Sequence, residues 1–167
     1  PAPDFTLVDQ NENPFRLRDQ RGHVVVLFFG YTTCPDVCPA TLAQFSQVKQ
    51  MLGDKADHVR FIFVSVDPER DTPEKLAWYI SHFDEDIIGL TGSREVLSKV
   101  WQDYGVYVER VEAPESRFEY WLNHTSISYV IDAQGMVVGA HPFGFPSELV
   151  VEDLLRLVEL AQDQNRG

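Results

Sequence analysis

The chain has 167 residues, 44% of them hydrophobic, which is enough to bury a core without a structural metal or disulfide. Its formal net charge of −12 argues against a nucleic-acid partner, because phosphate binding needs a basic surface. The longest apolar run, VVVLFFG, is too short to cross a bilayer. We therefore predict a single domain over residues 1–167. Because the sequence starts at PAPDFTL without methionine, we expect membrane attachment only through a segment absent from this chain.

The amino-terminal half alternates strand and helix patterns. FTLVDQNENPFRLRD predicts a β-hairpin, and the apolar runs at 23–29 and 59–66 predict strands covered on both faces. In the second helix, Asp71 or Thr72 is the expected cap, with Pro73 in the first turn. Four apolar stripes at helical spacing occur in the whole chain: Leu42, Phe45, Val48 and Leu52; Leu76, Tyr79, Ile80 and Phe83; Val96, Leu97, Val100, Trp101 and Tyr104; and Leu154, Leu155, Val158 and Ala161.

The carboxyl-terminal half begins with a segment, 106–123, that has no clear period. We predict a long surface excursion there, with its aromatic residues covering the core, and such excursions are often functional. The run at 126–132 predicts another strand, and DAQG at 132–135 predicts a tight turn joining two antiparallel edge strands. Strands alternating with helices indicate an α/β fold with a mixed central sheet.

Both cysteines lie in the stretch FGYTTCPDVCPATLAQF, residues 29–45. A predicted strand ends at Phe29, Gly30 loosens the backbone, and a helix begins at or just after Cys38. If Cys38 is the cap, Pro39 takes the first helical position, where a missing N–H costs nothing. The helix dipole and free amides at this end favour thiolates and lower cysteine pKa values.

Three roles for the cysteine pair follow from this placement. A disulfide closing about five residues would stabilise the chain by only about 2 kcal/mol, so a structural staple is the weakest reading. Thioredoxin-type redox motifs separate the cysteines by two residues, and here there are three. The wider loop can still close a disulfide, but it also lets two thiolates surround a soft ion such as Cu(I) or Zn(II). Spacing alone leaves the redox pair and the metal site open.

A third ligand is expected where the cysteine loop of a thioredoxin-like sheet faces the start of a later strand. The residues there are NHTSISYVIDAQG, which places His124 at that position. The segment resembles the one in thioredoxins and peroxiredoxins where Pro-Thr opens the strand, with His124 and Thr125 standing in place of Pro-Thr. An imidazole at this position can bind a metal.

Four segments together resemble the Sco/SenC family of copper-binding, thioredoxin-fold proteins: FFGYTTCPDVCP, VSVDPERDTPEKL, IIGLTGSREVLSKV and NHTSISYVIDAQG. By position, Cys34 and Cys38 match the family's cysteine ligands and His124 its histidine ligand. The resemblance implies a thioredoxin-like fold, with a mixed sheet flanked by helices and the amino-terminal hairpin. It also implies copper delivery to the copper-accepting subunit of cytochrome c oxidase, with other copper chaperones as further partners. The implied location is the bacterial periplasm, which we favour, or the mitochondrial intermembrane space.

The leading hypothesis is therefore a copper metallochaperone. Two thiolates and one imidazole favour three-coordinate Cu(I), and an added oxygen ligand would accommodate Cu(II). The first alternative is a thiol–disulfide oxidoreductase that uses Cys34 and Cys38 as a redox pair to reduce the partner's cysteines, with Cys34 as nucleophile. A peroxiredoxin-like peroxidase is a further alternative, although FGYTTC has no proline before its cysteine. A copper or redox sensor that acts by binding alone is the last.

Two aspartates lie near the predicted site and are candidate supporting groups. Asp67 ends a predicted strand, where it would support the ligands from behind. Asp36 lies between the cysteines and is either a solvated acid near the helix start or a docking charge. Four other histidines are present. We predict structural or solvated roles for His23, His58 and His82, and the role of His141 is open.

Overall fold

A seven-stranded mixed sheet forms the centre of the fold, and the computed structural model describes all 167 residues. The strands are β1 (Thr6–Asp9), β2 (Pro14–Arg16), β3 (Val24–Gly30), β4 (Val59–Ser65), β5 (Ile88–Thr91), β6 (Val108–Glu112), β7 (Tyr120–His124), β8 (Ile127–Ile131) and β9 (Val137–Pro142). The helices are α1 (Val37–Leu52), α2 (Pro73–Ser81), α3 (Arg94–Asp103) and α4 (Ser147–Gln164). The order across the sheet is β2-β1-β5-β4-β3-β8-β9, and β6 pairs only with β7.

The two central strands, β3 and β4, position the loops that follow them. β3 and β4 run parallel, with Val24 opposite Val59 and Gly30 opposite Ser65, so both end at the same edge of the sheet. All seven residues of β3 are buried, as expected for a strand without a solvent face. β1 and β2 form the predicted amino-terminal hairpin. The segments that leave β3 and β4 therefore start side by side.

Helix α1 follows β3 after a short loop, and its start differs from the prediction. Asp36 is the cap, so Cys38 and Pro39 lie inside the first turn. The prediction of Cys38 as cap was wrong because its side chain turns into the core, where it is fully buried. Pro39 is accommodated because the first helical hydrogen bond runs from the Ala40 N–H to the Asp36 carbonyl. No helix bond needs the missing N–H.

The other helices confirm most of the predicted stripes. Thr72 caps α2, accepting a hydrogen bond from the Lys75 N–H at 3.2 Å, while Asp71 is buried elsewhere. In α3, Leu97 and Val100 are buried, but Val96 is 44% exposed, so its assignment to the core was wrong. Val96 lies in the first turn of α3, where its backbone N–H donates to the hydroxyl of the capping residue, Ser93. No helix in the protein combines the length and the apolar character that a membrane span requires.

The segment 106–123 is not an irregular excursion. It contains β6 and the first part of β7, an antiparallel hairpin paired from Val108 opposite His124 to Glu112 opposite Tyr120. Sequence patterning missed it because four of the five β6 side chains are exposed, which removes the alternation that marks a strand. Tyr120 and Leu122 in β7 are buried, so this hairpin packs on the core through one strand.

The turn at 132–135 joins β8 to β9 as predicted, with the Asp132 carboxylate accepting the Gln134 and Met136 N–H groups. One part of that prediction was wrong, since β8 is not an edge strand. It pairs with β3 on one side and with β9 on the other. Of these two strands only β9 lies at a sheet edge. The start of β8 lies beside the end of β3, so β8 brings the residues before it to that point.

Candidate metal centre

Three potential metal-binding atoms meet beyond the end of β3. The sulfurs of Cys34 and Cys38 and a ring nitrogen of His124 all lie within 4.8 Å of one another. Cys38 is fully buried, Cys34 and His124 are half-buried, and both cysteines are free thiols. The fold thus brings together the three residues that the sequence singled out as ligands.

The imidazole of His124 is held in one tautomer and one orientation. Its Nδ1 lies 3.0 Å from the carbonyl oxygen of Thr125, which can only accept, so Nδ1 carries the proton. The lone pair of Nε2 then faces the Cys38 sulfur at 3.6 Å. The rings of Tyr31 and Phe28 contact the imidazole edge to face, with centroids 5.7 and 6.1 Å away. A backbone carbonyl on the non-ligating nitrogen is the arrangement that metal-binding histidines use.

The two thiols differ in acidity. Hydrogen bonding from the Cys38 side chain lowers the pKa of Cys34 to about 4, against the opposing effect of burial. The Cys38 N–H in the first turn of α1 also points to the Cys34 sulfur, 3.5 Å away. Burial raises the pKa of Cys38, and the adjacent Cys34 raises it further. In the metal-free protein at neutral pH, Cys34 is therefore a thiolate and Cys38 a thiol.

Gly30 is needed for a steric reason at the end of β3. A Cβ at this position would lie 2.7 Å from the Cys38 sulfur, 2.7 Å from the Phe63 ring and 2.9 Å from the Phe28 ring. These distances are too short for any side chain. Glycine therefore lets the buried sulfur pack directly against the strand backbone, which is a more specific role than the loosening expected from the sequence.

The cysteine loop is tied to the end of β4 through a buried carboxylate. The Thr32 hydroxyl donates to Asp71 at 2.6 Å, and the Ser65 hydroxyl donates to the other carboxylate oxygen at 2.8 Å. The Thr32 N–H also points to this carboxylate. Burial raises the pKa of Asp71 to about 6, against the opposing effect of these hydrogen bonds. Asp71 thus fixes the loop that precedes Cys34.

Asp67 is buried but does not contact the three potential ligands. Its carboxylate accepts a hydrogen bond from the Tyr120 hydroxyl at 2.6 Å and forms an ion pair with Arg70. Any support it provides to the site runs through the β6–β7 hairpin that carries His124. Asp36 is exposed, and its side chain makes no capping bond to α1, which fits the solvated-acid reading.

A groove of about 450 Å³ opens beside these residues, between the cysteine loop and the β6–β7 hairpin. Cys34 and His124 line it, whereas Cys38 lies behind them. Its walls are formed by Tyr31, Pro35, Asp36, Val37, Val111, Trp121, Leu122, Asn123 and Ser126. A larger molecule can therefore reach Cys34 and His124 from this side.

The remaining histidines lie outside this cluster. His23 contacts Arg60, His58 contacts Gln162, and His82 contacts the Trp78 carbonyl. These contacts agree with the structural or solvated roles predicted for them. The sequence left His141 unassigned, and the fold shows it buried, with Nε2 2.9 Å from the Asp153 carboxylate and its ring stacked on Phe145.

Several residues that shape the centre were missed in the sequence. Thr32, Ser65 and Arg70 were not singled out, although Arg70 lies within the VSVDPERDTPEKL segment. Tyr31 was missed as well, although it directly precedes the TTC run. Their positions after the ends of β3 and β4 were the available signal, because the carboxyl ends of parallel strands commonly build sites.

An α/β sheet with two cysteines at the start of a helix and a histidine facing them defines a thioredoxin-type protein with a candidate metal centre. The family model described as SCO1/SenC matches residues 2–159. This chain belongs to the SCO1/SenC family. The predicted fold class is confirmed, since the structure of Bradyrhizobium japonicum ScoI with copper bound superposes with a TM-score of 0.86 at 38% identity, covering 93% of this chain and 98% of that one.

The chain is similar to curated relatives from bacteria and from mitochondria. The SCO2-like protein of Rickettsia felis is 36% identical over 132 residues, covering 79% of this chain and 64% of its own length. The mitochondrial SCO2 protein of Saccharomyces cerevisiae is 36% identical over 138 residues, covering 81% of this chain and 46% of its own length. The chain thus spans less than two thirds of the length of these relatives.

Proposed function

We propose that this chain is a copper metallochaperone that holds one copper ion through the thiolates of Cys34 and Cys38 and the imidazole of His124. The observation that carries the proposal is the convergence of these three donor atoms within 4.8 Å. Two sulfurs and one nitrogen form a soft donor set that suits Cu(I), and a solvent oxygen would complete a site for Cu(II). The copper bound in the related ScoI structure supports copper as the cargo.

The three candidate ligands differ in protonation before copper binds. Cys34 offers a thiolate and His124 a free Nε2 lone pair, so these two ligands need no proton loss. Cys38 must lose its proton as the metal binds, which makes loading release one proton. Because the groove exposes Cys34 and His124 but not Cys38, we propose that an acceptor displaces the two exposed ligands first.

The proposed destination is the copper-accepting subunit of cytochrome c oxidase, with other copper chaperones as donors. The family resemblance supports this destination, and the net charge of −12 suits docking against basic partner surfaces. We propose an extracytoplasmic location, the bacterial periplasm in preference to the mitochondrial intermembrane space, with any anchor in a segment absent from this chain. We further propose that residues 1–167 act as one domain, which a continuous core of 40 buried residues supports.

The test is Cu(II) addition to the fully reduced protein, followed by electron paramagnetic resonance and sulfur-to-copper charge-transfer absorption. We expect a one-to-one complex with sulfur and nitrogen ligation, and a loss of the nitrogen signature in His124→Ala. His82→Ala is the matched control, because His82 is exposed and contacts only its own helix. Unchanged copper binding in His124→Ala would refute the assignment of this ligand.

A second candidate function is reduction of the acceptor's cysteines, favoured by the contrast between the two thiols. The Cys34 thiolate would attack a partner disulfide, forming a mixed disulfide and releasing one partner thiolate. The Cys38 thiol, losing its proton to solvent, would then attack the Cys34 sulfur and release the second partner thiolate. The partner gains two electrons, and this chain is left with a Cys34–Cys38 disulfide.

The mixed disulfide provides the test of this second function. Cys38→Ser should accumulate a covalent adduct with a peptide that contains one intramolecular disulfide, because the resolving thiol is missing. Cys34→Ser is the control and should form none. If the reduced wild type leaves the peptide disulfide intact, the oxidoreductase role is excluded for that substrate and copper transfer remains the leading account.

A further inference from the structure

The two halves of the candidate copper centre come from different parts of the fold. The cysteines lie in the loop and first turn after β3, which belongs to the seven-stranded sheet. His124 ends β7, and β7 pairs only with β6. A two-stranded hairpin is marginally stable by itself, so contacts outside its own ladder must hold it in place.

Core packing of Tyr120 and Leu122 supplies some of these contacts, and the turn that follows β4 supplies others. The Tyr120 hydroxyl donates to the buried Asp67 carboxylate at 2.6 Å. The Arg70 guanidinium donates to the Phe118 carbonyl at 2.8 Å and to the Tyr120 carbonyl at 3.2 Å. The same guanidinium lies 3.6 Å from the centre of the Tyr120 ring. Arg70 thereby holds both the backbone and the side chain at the start of β7.

The ion pair behind this anchor is largely shielded from water. The Asp67 side chain is 1% exposed and the Arg70 side chain 18%. Asp67 lies in the same turn as Asp71, whose carboxylate holds the cysteine loop. The Asp71 N–H donates to the Asp67 carbonyl at 2.8 Å. Ser65 links the Asp71 carboxylate to the backbone of Asp67, since its hydroxyl donates to Asp71 and accepts the Asp67 N–H. One short turn therefore holds both halves of the centre.

The geometry of β7 connects this anchor to the imidazole. Tyr120, Leu122 and His124 alternate along the strand and so share one face. A rotation of β7 about its axis turns all three side chains together. The hydroxyl of Tyr31 accepts the Leu122 N–H at 3.2 Å and adds a second fixed point between the anchor and His124.

We infer that Asp67, Arg70 and Tyr120 are positioning residues that set the placement of the His124 imidazole relative to the two cysteine sulfurs. The inference rests on the proposed copper function. None of the three touches the metal, and their effect runs through the orientation of β7. Copper affinity should therefore depend on the Tyr120 hydroxyl only as long as His124 is present.

The test uses Tyr120→Phe, which removes one hydroxyl and keeps the ring. Tyr104→Phe is the matched control, because its buried hydroxyl donates to the Pro3 carbonyl at 2.7 Å, outside the anchor. In the metal-free protein, we expect faster hydrogen–deuterium exchange at the 108–124 amides in Tyr120→Phe only. We also expect about 10-fold weaker Cu(II) binding, the lower end of the range for outer hydrogen-bond partners of metal ligands. The nitrogen hyperfine pattern should change as well.

A double-mutant cycle separates positioning from general loosening. In the His124→Ala background, Tyr120→Phe should cause no further loss of copper affinity. The inference would be overturned if Tyr120→Phe lowered copper affinity equally with and without His124. It would also be overturned if Tyr120→Phe showed the same hydrogen–deuterium exchange and the same Cu(II) binding as the wild type. Asp67→Asn provides an independent variant with the same expectation. A wild type that binds no copper would refute the proposed function instead, and hairpin exchange would still decide whether Tyr120 holds β7.

Discussion

The Nε2 atom of His124 faces the sulfur of Cys38 at 3.6 Å, across 86 residues of sequence. Because Nδ1 donates to the Thr125 carbonyl, Nε2 is the nitrogen with a free lone pair. Without a metal, this lone pair lies against the Cys38 thiol, whose single proton is hydrogen-bonded to Cys34. Under the proposed function, copper would bind this lone pair and the deprotonated Cys38 sulfur, so copper and the thiol proton compete for the same sulfur.

The alkylation rate of Cys34 should be nearly independent of pH across the neutral range. Its pKa is lowered to about 4, so the reactive thiolate remains almost fully populated until the solution becomes strongly acidic. An ordinary cysteine, with a pKa of about 8.5, loses roughly tenfold in rate for each unit below that value. Iodoacetamide labelling read by tandem mass spectrometry checks this, with buried Cys38 as the internal control. A tenfold fall per pH unit at Cys34 would contradict the expectation.

Gly30→Ala should damage both stability and the metal centre. The added Cβ meets the Cys38 sulfur and two phenylalanine rings at less than 3.0 Å, and all are held by the core. Overpacking of this kind costs about 1–3 kcal/mol in the free energy of unfolding. Chemical denaturation checks the stability, and Cu(II) titration checks the site. Gly139→Ala is the control, because its nearest neighbour is 4.0 Å away; equal effects in both variants would argue against crowding at the sulfur.

Thr32→Val should loosen the cysteine loop by removing one donor to Asp71. The valine keeps the shape but deletes the 2.6 Å hydrogen bond, leaving a buried carboxylate short of a partner. The expected cost is about 1–3 kcal/mol in the free energy of unfolding. Thr41→Val serves as the comparison, because the Thr41 hydroxyl only bonds back to the Val37 carbonyl within α1. Urea unfolding measures both variants. Equal losses in the free energy of unfolding for Thr32→Val and Thr41→Val would contradict the expectation.

Asp71 should make a pH-dependent contribution to stability. Its pKa is raised by burial from 3.8 to about 6, so the folded protein favours the protonated acid. That contribution is fully present below pH 3.8 and is lost as the pH rises through about 6. The loss is on the order of 3 kcal/mol. Asp71→Asn cannot ionise, so the stability of the wild type relative to this variant should fall over that window. A constant difference between the two would show that Asp71 is not a buried titrating group.

The sequence by itself determined the elements and residues whose signals are local. Continuous apolar runs predicted β3 and β4, helical stripes predicted the four helices, and turn residues predicted the first hairpin and the β8–β9 turn. The spacing of Cys34 and Cys38 and the position of His124 selected the three candidate ligands. The predictions of strands and helices succeeded because a buried strand or helix face imposes its own period on the chain. The ligand roles of the three residues stay predictions.

Only the tertiary structure decided how the ligands are held. Asp71 was one of two expected caps of α2, and Thr72 is the cap; Asp71 instead bonds Thr32 from a different strand end. Asp67 contacts Tyr120 rather than the candidate ligands. Thr32 and Tyr120 are both far in sequence from the aspartates that they contact. In the sequence, an aspartate before a helix has the same pattern whether its carboxylate caps the helix or is buried in the core. The β6–β7 hairpin was missed because β6 buries almost no side chain. The hairpin is held by the packing of Tyr120 and Leu122 on the core and by contacts with the turn after β4, which no local pattern encodes.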